Sequence, residues 1–201
     1  MAATASTETT AGLGLFHLPL RGGAGEPVYG AAVAARGFQR ALLAAQRSLR
    51  CELFVPGGAE SEAAAQDLAG ALRGVSAPAA FRVHDLSRMD GAALRRLGLL
   101  AWHDGNADAF RPFQLRAGCP GLRLPITVAH HSFSYPRMLH EWFLPLLTLD
   151  VRESDAILCS SRAARAAIAA LLQGVAERFN RQHGAHLRFR GRLEVLPLGV
   201  D

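Results

Sequence analysis

Apolar positions along the chain fall into short compact runs and longer periodic stretches, and the two kinds alternate. The compact runs are "GLGLFHL" (12–18), "CELFVP" (51–56), "FRVHDL" (81–86), "LLAWHD" (99–104), "PITVAHH" (125–131), "DAILCSS" (155–161) and "RLEVLPLGVD" (192–201). Their length and apolar character read as strands. The stretch 30–49 reads as a helix with Val33, Phe38, Leu42 and Leu43 near one face. Residues 60–75 read as a helix whose acidic first turn suits the positive end of the macrodipole. A short helix fits 90–98, ending at Gly98, and a longer one fits 136–154, which Pro145 should kink or break. The clearest helix is 162–182. There Ile168, Leu171, Leu172, Val175 and Phe179 keep the 3.6-residue period, and Ser161 is a natural N-cap.

Strands alternating with helices predict an α/β fold, a Rossmann-like mostly parallel sheet with helices on both faces. In such sheets ligands sit beyond the carboxyl ends of the strands, near the switch point in strand order. The loops that matter are therefore 19–29, 56–60, 103–107, 131–136 and 160–162. Residues 1–12 read as a short flexible tail, since they lack the basic start and long apolar stretch of a secretory signal. Residues 13–201 read as one domain.

Half of the 201 residues are apolar, enough for a sizeable core. The formal charge is +5, and all 22 basic residues are arginine. No arginine run exceeds two (Arg95, Arg96), so no DNA-binding stripe is expected and nucleic acid is not expected as a partner. Cys51, Cys119 and Cys159 are far apart and form no CxxC pair, which argues against structural zinc and a disulfide framework and fits a reducing cytoplasm. The longest apolar runs fall short of the roughly 18 residues that a spanning helix needs.

The glycine cluster at 22–25 invites a phosphate reading. A P-loop needs a Gly-Lys-Ser/Thr end, and the chain has no lysine. A dinucleotide fingerprint needs GxGxxG, but Gly23 and Gly25 are followed by Val28 at the third position. A close backbone approach to a ligand survives for these glycines, beside the plainer reading of a loop punctuated by glycine.

Eight histidines suggest metal, but their spacing does not: no HxxxH or HExxH occurs. His130 and His131 are neighbours on a strand and point to opposite faces. His130 reads as a satisfied histidine that caps a loop. His131-Ser132 and His103-Asp104 end strands where a cleft should open, so His131 and His103 are candidates for contacting a sugar hydroxyl or a developing charge. Arg162 and Arg165 begin a helix where cations oppose the dipole. A bound anion would explain the placement, and so would an exposed pair with negligible penalty.

Three segments together carry a resemblance. "PITVAHHSFSYPRMLHEWFLPLL", "DAILCSSRAARAAIAALL" and "LEVLPLGVD" resemble the N-terminal half of bacterial family 4 glycosyltransferases, which have the GT-B fold. The stretch 57–98 carries little of the likeness. The resemblance implies a single GT-B half that binds the acceptor in a retaining, nucleotide-sugar-dependent transfer, commonly without metal. No cofactor is implied, since the nucleotide-sugar is a substrate. It implies that Gly22, Gly23 and Gly25 approach the transferred sugar or its diphosphate and that His131 is the catalytic contact to that sugar. It also places Ser132, Ser160, Ser161 and Arg162 near the acceptor, with a weaker match at His103-Asp104. The family's nucleotide-binding half would follow Asp201, so a chain ending there is expected to be weakly active or inactive alone.

The expected partners are a sugar acceptor and, with a second domain, a nucleotide-sugar. An anionic membrane surface would suit the arginine excess, which gives an expected location in the cytoplasm or peripherally at the inner membrane. A non-enzymatic carbohydrate- or protein-binding module with the same fold is the alternative. An NAD-binding enzyme is a third reading, which the glycine spacing opposes.

Overall fold

A computed structural model describes residues 12–17, 30–45, 49–57, 62, 63, 66, 67, 70, 81–105, 110–130 and 139–197. In chain order the elements are β1 (Gly12–Phe16), α1 (Gly30–Ala45), β2 (Arg50–Val55), β3 (Phe81–Asp85), a 3-10 turn (Leu86–Arg88) and α2 (Gly91–Arg96). Then come β4 (Leu99–Asp104), α3 (Phe110–Ala117), β5 (Ile126–Ala129), a π-helical turn (Leu139–Phe143) and α4 (Leu144–Thr148). The last are β6 (Ala156–Cys159), α5 (Arg162–His183) and β7 (Arg192–Val195). Residues 62, 63, 66, 67 and 70 are helical, within the predicted 60–75 helix.

Among the described residues seven strands form one sheet in the order β3-β2-β1-β4-β5-β6-β7, and every neighbouring pair is parallel. The chain runs outward from β1 to β3, then returns past β1 to lay down β4 to β7 on the other side. This is a Rossmann-like α/β sheet, and its switch point lies between β1 and β4.

Side-chain alternation divides the core between the two faces. On one face Leu15, Cys51 and Leu53 pack with Leu43 of α1, joined by Leu13, Leu42, Phe81 and Val83. On the other face the apolar side chains are Phe16, Phe54, Trp102, Ile126, Val128, Ile157 and Cys159. They meet Leu94 of α2, Phe113 of α3, Leu146 of α4 and Ile168 and Leu172 of α5. Right-handed crossovers produce this division, because strands added in opposite directions send their helices to opposite faces.

Local chemistry sets the element ends. The Ser161 hydroxyl accepts from Ala164 N at 3.0 Å, as expected of the α5 cap. Asp90 caps α2 in the same way, accepting from Ala93 N at 2.6 Å. Pro145 does not kink a continuous helix over 136–154. It sits in the first turn of α4, and the five residues before that helix, Leu139–Phe143, wind as the π-helical turn. Helix α3 was not expected from the sequence; its Pro112 likewise occupies a first turn. Residues 46–48 at the end of the predicted first helix, and 198–201 at the end of the last predicted strand, lie outside the described residues.

At the amino ends of β5 and β6 a buried ion pair ties distant segments together. Asp155 is 2% exposed and Arg116 is fully buried. Asp155 Oδ1 accepts from Arg116 Nη1 at 2.7 Å and from Ile126 N at 2.9 Å. Its Oδ2 accepts from Arg116 Nη2 at 2.6 Å and from Arg152 N at 2.7 Å. The Asp155 backbone carbonyl takes Arg192 N of β7. Four donors on one carboxylate offset much of the desolvation cost of this pair.

Candidate functional site

The carboxyl ends of β4, β5 and β6 meet α1 beside the switch point, and a groove of about 750 Å³ opens there. Strand β4 contributes His103 and is followed by Gly105. Past β5 lies His130, past β6 lies Ser160, and past β7 lie Leu196 and Pro197. The opposite wall is α1, with Val33, Phe38 and Ala41 among its residues. Close approach of strand end and helix depends on Gly105, where a Cβ would stand 3.2 Å from the Ala35 Cβ.

His103 is oriented from two sides. Its ring packs against Phe38 with centroids 4.8 Å apart. Its Nδ1 lies 2.9 Å from Thr127 Oγ1, and that hydroxyl lies 3.4 Å from the Trp102 carbonyl oxygen. A hydroxyl has one proton to give. With that proton directed to the carbonyl, Thr127 accepts from Nδ1–H. The Nε2 side of the ring lies near Gly105.

At the end of β1 lies a second polar cluster that the sequence did not disclose. His17 is 2% exposed. Its Nδ1 is 2.6 Å from Gln39 Oε1, and Gln39 Nε2 donates to the Phe16 carbonyl at 2.7 Å. That second bond fixes the Gln39 amide, so Nδ1 is the donor toward Oε1. His17 Nε2 lies 3.6 Å from Asp67 Oδ2. The cluster fastens α1 and the helical residue Asp67 to the end of the central strand. No spacing rule links positions 17, 39 and 67; the fold alone brings them together.

The remaining sequence candidates are distributed as follows. Ser160 lines the groove beside His103. Asp104 is 1% exposed, on the opposite side of β4 from His103. Ser161 and Arg162 are exposed at the start of α5, with the Ser161 hydroxyl engaged as the cap. His130 is buried and packs edge-on against Trp142, centroids 4.6 Å apart. Gly22, Gly23, Gly25, His131 and Ser132 lie outside the described residues.

Val33 and Phe38 were expected to share a face of α1 with Leu42 and Leu43. The structure separates them: Leu43 is buried, whereas Val33 is 51% and Phe38 39% exposed on the groove. The signal was available in the spacing, since Leu42 and Leu43 continue the core stripe and Val33 lies off it. Among the described residues no three His, Cys, Asp or Glu side chains converge as a metal site would require. Among the same residues no helix is long and apolar enough to cross a membrane. Compared with known proteins, the chain matches no family model, no curated protein and no solved structure.

Proposed function

We propose that the chain is the acceptor-side lobe of a retaining, nucleotide-sugar-dependent glycosyltransferase. The observation that carries the reading is the groove at the carboxyl ends of β4 to β6, which His103, Ser160 and the partly exposed ring of Phe38 line together. Sugars ask for this mixture: hydroxyls for hydrogen bonding and a C–H face for an aromatic ring. The His103 ring and the Ser160 hydroxyl hydrogen-bond with neighbouring hydroxyls of the acceptor. The roles of Gly22, Gly23, Gly25, His131 and Ser132 rest on the sequence resemblance. In this reading a second α/β lobe holds the nucleotide and stabilises the departing diphosphate, and the reaction is cytoplasmic. Three buried free thiols fit that compartment.

The test is a titration of the isotope-labelled 201-residue chain with mono- and disaccharides, followed by amide shifts, together with turnover assays on a panel of nucleotide-sugars. The expected result is saturable shifts at His103, Gly105 and Ser160, lost in His103→Ala, and no turnover without a nucleotide-binding lobe. Binding of NAD without any sugar response, or robust transfer by these 201 residues alone, overturns the proposal.

One observation favours a second reading, a non-enzymatic carbohydrate- or protein-binding module. Val33, Phe38, Leu100 and Leu196 are the exposed large apolar side chains among the described residues, and three of them line this groove. Such convergence suits association. Supplying a nucleotide-binding lobe separates the readings, because only the enzyme gains turnover.

A further inference from the structure

The stretch 178–192, "RFNRQHGAHLRFRGR", contains five arginines, two histidines and no acidic residue. Its second half runs from the end of α5 to β7. Asn180 holds it on the helix, donating to the Leu187 carbonyl at 3.0 Å and accepting from Leu187 N at 2.7 Å. Burial alternates along it. Leu187, Phe189 and Leu193 turn into the large core, while His186, Arg188, Arg190 and Arg192 are exposed. The alternation puts the three arginines and His186 on the exposed side of the segment. The sequence pattern alone hid this, because no two of the arginines are adjacent.

The row borders two adjoining grooves. One, of about 520 Å³, is lined by Arg152, Arg188 and Arg190 together with Glu153. The other, of about 490 Å³, adds His186 and Asp150. Arg152 is already engaged: its Nε and Nη2 donate to Asp150 Oδ2 and its Nη1 to the Leu122 carbonyl. Asp150 is thereby neutralised. Arg188 and Arg190 have no hydrogen bond or ion pair among the described residues, and Glu153 lies beyond ion-pair distance of both. Both unpaired guanidinium groups line the same grooves, and a ligand carrying several linked anionic groups can engage both at once. A single phosphate engages one fork; a chain of phosphates reaches both.

We propose that the groove between residues 151–153 and 186–190 binds a condensed phosphate chain through Arg188 and Arg190. The site is separate from the groove described above, since this segment precedes β7 whereas Leu196 and Pro197 follow it. It does not depend on the transferase reading.

Calorimetric titration with tripolyphosphate at low ionic strength tests it. Saturable binding is expected, with a dissociation constant below about 1 mM. The double variant R188Q/R190Q, at two exposed positions, is expected to bind about tenfold more weakly or not at all. The double variant R82Q/R96Q removes the same charge from the far edge strand and from α2, and is expected to bind as the parent does. Circular dichroism confirms that each variant is folded. Equal weakening by R82Q/R96Q would reduce the effect to net charge and overturn the proposal. So would orthophosphate binding as tightly as tripolyphosphate, or retention on phosphatidylglycerol vesicles with no response to tripolyphosphate.

Discussion

Phe54 of β2 and Trp102 of β4 stack with ring centroids 3.9 Å apart and planes 20° from parallel, although β1 runs between their strands. Gly14 makes this contact possible. A Cβ at Gly14 would lie 3.2 Å from Phe54 Cε2, 3.3 Å from Trp102 Cε3 and 3.0 Å from Leu99 Cδ1. The glycine is a notch in the middle strand through which the outer two meet. Gly14→Ala should therefore cost about 1–3 kcal/mol by overpacking. Urea unfolding with an unchanged slope and a lower midpoint is the expected readout. A midpoint equal to the parent's would show that the stack shifts without penalty.

Asp155 offers a larger effect. Asp155→Ala leaves the fully buried Arg116 without its carboxylate, and breaking a buried pair costs about 3–5 kcal/mol. Replacing both partners, as in R116M/D155L, should recover a good part of that loss, because the stranded charge is removed. A double-mutant cycle on unfolding free energies checks the coupling; additive losses would contradict it.

The buried thiols set the alkaline behaviour. Burial pushes the Cys51 thiol above its ordinary range, and the neighbouring Glu52 carboxylate adds to the rise. Burial raises Cys159 as well, with Arg165 opposing and Glu194 assisting. A thiol whose pKa is raised by folding binds its proton more tightly in the folded state. Its contribution is full below the ordinary thiol range and is lost as pH rises through the folded value. Stability should fall on the alkaline side, and Cys51→Ala should flatten that fall. Unfolding midpoints measured across the alkaline range check the sign; stability rising there would refute it.

Thr127 selects the tautomer of His103. Thr127→Val removes the acceptor at 2.9 Å from Nδ1 while nearly conserving volume. The expected outcome is a move of the neutral ring toward the Nε2–H form, read from the nitrogen-15 shifts of the imidazole. Sugar binding at this ring should weaken with it. An unchanged tautomer would mean that other contacts hold the ring.

Much of the architecture was readable from the residues. Ser161 announced α5, and alternating compact and periodic segments announced a parallel sheet, because both signals are local. Helix α3 was not readable: Pro112 and a mixed composition mask eight helical residues whose Phe113 and Leu115 are buried. Of the site, His103 and Ser160 followed from the rule that ligands gather at strand carboxyl ends. The His17–Gln39–Asp67 cluster did not follow, because its members are joined by tertiary placement alone. The exposure of Phe38 was hidden for a related reason. An aromatic on a helix next to a leucine stripe reads as core until the neighbouring sheet is seen to leave that corner uncovered.

The carboxylate of Asp155 gathers Arg116, Ile126 and Arg152, and its carbonyl gathers Arg192. Those partners belong to the segments that build β5, β6 and β7, so none of the three strands opens without disturbing the others. Amide protons of this half should consequently exchange with solvent at one shared, slow rate, as a single cooperative block. The wall carrying His130 and Ser160 then rests on this block.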